Sequence, residues 1–184
     1  MSQRTWHRKA VAVTVAVAAL GGGALTFAGP ASATVAQGYV SGTNSPTNDW
    51  GDEGTLSSTS HANSNATALV QMALWADGAK EKNGTTFDWA DIDGRYGSNT
   101  TAAVKSLQKL YNSRLGAGLV VDGKAGKLTL GVADDSLLAH SDGTVTYYGW
   151  KHNFTLKRTA AGKYYLKVGS RGWKLASYTT LNVV

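Results

Sequence analysis

The chain has no cysteine in its 184 residues and only two prolines. Without thiols no disulfide can staple a small fold and no thiolate can serve as nucleophile or metal ligand, so any folded part rests on its own apolar core. Acidic residues are missing from the last quarter. Residues 144–184 carry seven Lys/Arg and no Asp or Glu, whereas residues 34–143 carry eight Lys/Arg against twelve acids, a net charge of −4. The formal +6 of the whole chain is therefore unevenly spread. Such a basic block attracts anionic polymers at long range. It cannot by itself form a glycosidase centre, which needs two carboxylates across a cleft. Histidines beyond residue 33 are His61, His140 and His152, with no short-spaced pair, which argues against a zinc peptidase with about three protein ligands. Asp88, Asp91 and Asp93 lie close together, but Trp89 and Thr100 would fall on the first and last ligand positions of a calcium loop, where oxygen donors of carboxylates are required. No catalytic residue, metal site or cofactor is expected, and the chain is read as non-enzymatic.

Long apolar runs are also lacking. The stretch from Ala10 to Leu20, rich in Ala and Val, is followed by Gly21, Gly22 and Gly23 and falls short of the roughly 18 residues of a membrane span. With Arg4, Arg8 and Lys9 before it and Ala31-Ser32-Ala33 after it, it has the three parts of a secretory signal peptide in order. Residues 1–33 are read as that signal, with the mature protein starting near Thr34, secreted and without stable membrane insertion. Export also argues against nucleic acid as the partner of the basic block.

Residues 34–64 are dominated by Ser, Thr, Asn and Gly with few aliphatic residues, so most of the segment reads as a flexible polar leader, with Trp50 a candidate for local docking. Residues 65–142 change to helical spacing. A first helix is predicted over 65–77, where Leu69, Met72, Ala73 and Ala76 recur, capped by Asn65 or Thr67 and ended by Gly78. A second is predicted over 99–111, with Ala103, Val104, Leu107, Leu110 and Tyr111 in one stripe and Ser98 or Asn99 as cap. A third is predicted over 127–139, weakened by Gly131. From 143 to 184 the period becomes two. Four short runs (144–150, 153–158, 163–168 and 173–178) predict an antiparallel meander. Alternation places Phe154, Leu156, Tyr164, Leu166, Val168, Trp173 and Leu175 on the face that needs cover. Lys157, Lys163, Tyr165, Lys167, Lys174 and Tyr178 fall on the other. The fold class is α+β, a three-helix bundle followed by a small antiparallel β meander.

One internal repeat stands out. Asp93-Gly94-Arg95-Tyr96-Gly97-Ser98-Asn99-Thr100 and Asp122-Gly123-Lys124-Ala125-Gly126-Lys127-Leu128-Thr129 share D-G-x-x-G-x-x-T, each just before a predicted helix. Asp and the first Gly turn the chain, the second Gly is expected to take a positive φ, and the polar residues that follow satisfy free amides of the first helical turn.

The repeat and its surroundings resemble the PGBD-like peptidoglycan-binding domain family. The matching positions are Asp93, Gly94, Tyr96, Gly97, Thr100, Ala103, Val104, Leu107 and Gln108, then Gly118, Leu119, Asp122, Gly123, Gly126, Thr129 and Leu130, with Leu69-Val70-Gln71 resembling the family's opening helix. The resemblance covers about residues 65–139. Leu107 and Leu130 stand where the family often has an aromatic, and the 112–117 link is longer than is common. What it implies is a three-helix core and a peptidoglycan or other cell-wall polymer as partner, outside the cell and associated with the wall.

Most of the shared positions read as core or loop architecture. The ligand-binding candidates are Arg95, Tyr96, Asn99 and Gln108 around the first loop, Tyr96 as a ring to stack on a sugar and the others as hydrogen-bonding groups. Tyr165 and Lys167 join them on the basic aromatic sheet face, which would add adhesion to wall polymers. Each has a plainer role open to it: a packed lid for Tyr96, solvated surface for the polar groups, and a soluble, unpaired sheet face for the lysines. Two other functions share this pattern, a peptidoglycan hydrolase or its accessory and a secreted module that binds another protein through the aromatic sheet.

Overall fold

The computed structural model describes residues 35–43 and 45–184; the signal-peptide reading of residues 1–33 lies outside the described residues. Three helices come first: α1 (Asn65–Asp77), α2 (Ser98–Leu115) and α3 (Lys127–Ala133). An antiparallel sheet follows in simple meander order, β1 (Leu137–Ala139), β2 (Thr144–Tyr148), β3 (Asn153–Arg158), β4 (Tyr164–Leu166) and β5 (Lys174–Leu175). The architecture is α+β, as the change of period indicates.

Helix α1 is apolar nearly all round, and all of its residues but Trp75 are buried, which is the pattern of a helix surrounded by the rest of the fold. Ser64 rather than Asn65 or Thr67 caps it: the Ser64 hydroxyl accepts the Thr67 amide at 3.0 Å, satisfying one of the free donors of the first turn. Gly78 ends it in the left-handed conformation. Helix α2 runs a turn longer than its stripe suggests and stops at Gly116, also left-handed. The third helix is shorter than expected. It ends at Ala133, a 3-10 turn spans Asp134–Ser136, and Leu137–Ala139 are a strand paired with Tyr147, Thr146 and Val145. Gly131 lowers the helical propensity there, and pairing against β2 buries Leu137.

The leader is where the structure departs most from the sequence reading. Among the described residues of 35–64, Val40, Trp50 and Leu56 enter the same core as the helices and the sheet. Val40 lies between two elements: its amide donates to the Ala176 carbonyl and its carbonyl accepts from the Tyr164 amide. Leu56 exchanges both backbone hydrogen bonds with Ala125. The Trp50 indole packs nearly parallel to Tyr147 at 6.2 Å and edge-on to Tyr164 at 5.8 Å. A segment with three well-spaced apolar residues has no detectable period, yet each of them fills a separate gap between elements.

Four carboxylates are buried with it. Asp49 holds the Arg158 guanidinium at 2.7 Å and the Tyr164 hydroxyl at 2.5 Å. Glu53 accepts from the Tyr178 hydroxyl and the Ser41 amide, and Asp134 accepts from the Trp50 amide at 2.6 Å. Asp77, at the end of α1, accepts from the hydroxyls of Tyr111 and Tyr147 at 2.9 and 2.7 Å and from the Trp150 amide at 3.2 Å. This last cluster joins α1, α2 and the sheet in one place.

The turn after β2 docks on the same end of α1. The amides of Lys151 and His152 both donate to the Ala76 carbonyl, a terminal acceptor that the helix leaves free. Gly149 lies so close that a Cβ there would stand 2.3 Å from the Ala76 oxygen. Gly149→Ala is expected to force the turn off the helix and cost about 1–3 kcal/mol, the usual penalty of overpacking, read as a lowered thermal midpoint.

The buried acids also set a pH dependence. Burial pushes the carboxyls of Glu53 and Asp134 up to about 7, and that of Asp77 in the same direction. In the unfolded chain these groups ionise near pH 4, so for Glu53 and Asp134 the folded state holds more protons between those limits, and Asp77 acts in the same sense. Their contribution is complete below about pH 4 and is lost as pH rises through about 7. The thermal midpoint should fall from pH 5 to 8, with a shallower slope in Glu53→Gln; identical slopes in the two proteins would contradict the assignment.

Candidate functional site

The two D-G-x-x-G-x-x-T loops are built by the same hydrogen bonds. In the first, Gln71 on α1 donates its amide to Asp93 Oδ1 at 2.9 Å, to the Arg95 carbonyl at 3.1 Å and to Thr100 Oγ1 at 3.1 Å, while its Oε1 accepts from the Gly94 amide at 2.7 Å. In the second, Gln108 on α2 donates to Asp122 Oδ1 at 3.0 Å, to the Lys124 carbonyl at 3.0 Å and to Thr129 Oγ1 at 3.2 Å, and accepts from the Gly123 amide at 3.0 Å. Each Asp also accepts the amide two residues on, from Arg95 and from Lys124, an Asx turn. The repeat is therefore a glutamine on one helix gripping the loop that starts the next.

The glycine roles are the reverse of the sequence expectation. Gly94 and Gly123, the first of each pair, carry φ of +72° and +78°. Gly97 and Gly126, the second, are extended N-caps with no side-chain cap of their own. The tight turn is needed where the loop amide must point back at the glutamine, which is the first position.

This geometry relocates two of the candidate residues. Gln108 is 1% exposed, with both ends of its amide engaged inside the second loop, so it is an architectural residue. Tyr96 is 3% exposed; its hydroxyl donates to the Gly123 carbonyl at 2.9 Å, tying the first loop to the second. A ring so covered offers no face to a sugar. Arg95 and Asn99 remain on the surface beside the first loop. Tyr165 and Lys167 are on the outer side of β4 and its extension, half-buried and exposed. Among the described residues no hydrogen bond, ion pair or ring contact joins the loop candidates to the sheet candidates.

The outer sheet face differs in membership from the alternation read off the sequence. Tyr165 pairs with Lys157 on β3 and with Leu175 on β5, and the Lys157 ammonium stands 4.9 Å over the Trp173 ring. Leu175 and Trp173 thus belong with the lysines, because β5 enters the sheet in the opposite phase and a one-residue shift exchanges faces. Tyr178 lies past β5 and is buried on Glu53. The outer face therefore presents Lys157, Tyr165, Trp173 and Lys167 with no acid on β2 to β5.

Sequence reasoning missed a third surface. Trp75 on α1 stacks on His152 at 4.3 Å and meets Trp89 edge-on at 4.7 Å, while on the other side of the same turn Trp150 lies against Tyr111 at 5.7 Å with the Arg114 guanidinium 4.8 Å above it. These residues come from α1, α2, the 3-10 turn Trp89–Asp91 and the β2–β3 turn. Only the count of tryptophans hinted at them.

The architecture is a two-loop helical module whose helix starts are gripped by preceding glutamines, sharing one core with a basic sheet. Residues 63–132 match the family described as "Putative peptidoglycan binding domain", so the resemblance drawn from the repeat holds over the module that contains both loops. No curated protein and no solved structure matches the chain. Tyr96→Phe separates the two roles open to that ring: it should lower stability by about 1–2 kcal/mol through the orphaned Gly123 carbonyl and leave sedimentation with cell-wall material unchanged.

Proposed function

We propose that the protein is a secreted, non-catalytic binder of cell-wall peptidoglycan. The observation that carries this reading is the pair of glutamine-gripped loops within the segment that matches the peptidoglycan-binding family. The helical module presents Arg95 and Asn99 beside the first loop, where a guanidinium and a carboxamide can hydrogen-bond the glycan or its peptides. The outer sheet face, with Lys157, Lys167, Tyr165 and Trp173, adds adhesion to anionic wall polymers by long-range attraction that weakens as salt rises.

A non-catalytic role is supported by how the carboxylates are used. Glu53, Asp77, Asp49 and Asp134 are each buried and hydrogen-bonded by tyrosines, Arg158 or backbone amides, so these four serve as structural acceptors. No helix of the described residues is long and apolar enough to cross a membrane.

The purified mature chain should sediment with insoluble peptidoglycan at low salt and be partly released at high salt. Recovery entirely in the supernatant at low salt would sink the reading. In a gel with embedded cell wall no cleared band is expected at its mass, and a cleared band would establish a hydrolase instead.

A further inference from the structure

The module and the sheet meet at an open groove of about 580 Å³. One wall comes from the segment that follows α1, with Lys80, and from α2, with Lys109, Leu110 and Arg114; the other is the β2–β3 turn, with Trp150 and Lys151. Four cations thus border one groove. Its single carboxylate, Asp77, is 4% exposed and engaged by Tyr111, Tyr147 and the Trp150 amide, so no exposed acid among the lining residues answers those charges. The turn that carries Trp150 and Lys151 is held rigidly to α1 through the Ala76 carbonyl and the close approach of Gly149.

The chemistry of the walls is specific. The Arg114 guanidinium lies 4.8 Å over the Trp150 ring, which holds its planar fork in place for a carboxylate. Trp150 is 37% exposed and, with Leu110, offers apolar surface beside that fork. Lys80 Nζ donates to Thr86 Oγ1 at 2.8 Å, which keeps its charge at the rim. An apolar wall next to clustered cations suits a ligand with a sugar or alkyl body and a free carboxylate.

We infer that this groove, completed by the sheet, takes the carboxylate-bearing peptide-substituted sugar of peptidoglycan, with the carboxylate on Arg114 and Lys109 and the body of the ligand against Trp150. The inference rests on the wall-binding reading above. It differs from that reading in location, because Trp150 and Lys151 lie outside the segment that matches the peptidoglycan-binding family. It also gives the sheet a function in the same site as the module: without the β2–β3 turn the groove has one wall.

The test uses the full mature chain and two probes. One is insoluble peptidoglycan stripped of phosphate polymers. The other is a soluble disaccharide-peptide, with its carboxylates free or amidated. Wild type should bind both probes with free carboxylates. Lys109→Glu, Arg114→Glu and Trp150→Ala should each weaken binding of the soluble probe at least tenfold, and amidation should do the same to wild type. Lys127→Glu makes the same charge change on α3, away from the groove, and should bind as wild type does. Groove variants that bind as tightly as wild type, or indifference to amidation, would overturn the groove while leaving the wall-binding reading standing. Loss of wild-type binding once phosphate is stripped would assign the cations to a phosphate polymer and overturn it as well. Failure of wild type to bind untreated wall would remove the parent reading and this one together.

Discussion

The Asp77 carboxylate is the point on which the architecture turns. It stands at the last residue of α1, where helix carbonyls are unsatisfied and a negative charge is unfavourable by dipole, and it is held there by hydroxyls from α2 and β2 and an amide from the β2–β3 turn. Three elements that have no sequence proximity are thereby brought to one oxygen cluster. Truncating any partner would leave a buried acceptor or charge unsatisfied, so the cluster is all-or-none in the way that buried polar networks are. Its burial also keeps the carboxyl above its ordinary range, which suits an acid that serves as a hub.

From that hub the rest of the core extends in two directions. Toward the helices, Gln71 and Gln108 repeat one device, a neutral carboxamide that donates to the loop's Asp and accepts from its glycine amide at once. Toward the sheet, Tyr147 passes from Asp77 to a stack with Phe154 at 4.8 Å and with Trp50, which draws the polar N-terminal segment into the core. Tyrosine recurs in these links because one residue buries an apolar ring and still satisfies a carboxylate. A chain without cysteine reaches cohesion this way, with hydroxyl-to-carboxylate bonds tying together elements that disulfides tie in other small domains.

The arrangement also explains why the sheet accompanies the helical module. Its inner face is covered by the helices and by Val40 and Trp50 of the N-terminal segment, and its outer face is free to carry lysines and aromatics. The turn between β2 and β3 supplies the second wall of a cationic groove whose first wall is α2. The sheet thus carries one flat basic surface and shares a concave one with the module.

Much of this was legible before any coordinates. Helices α1 and α2 follow from apolar residues at 3.6 spacing, with Gly78 as the stop of α1, the strands of residues 144–178 from the change to period two, and the module's resemblance from a repeated loop, because each of these signals is local. Four features depended on packing and pairing that no local pattern displays. The N-terminal segment packs because Val40, Trp50 and Leu56 fill gaps between elements, and isolated residues have no period. Leu137–Ala139 are a strand and not a helix end because β2 offers them partners. Tyr96 and Gln108, which the pattern marks as special without saying why, are interior ties, while Trp150, Lys151 and Arg114 become neighbours only when the β2–β3 turn docks on α1. Local propensity and repeat spacing determined the elements and the module; burial and the pairing of buried polar groups across long separations decided the core and the surfaces that remain available to a ligand.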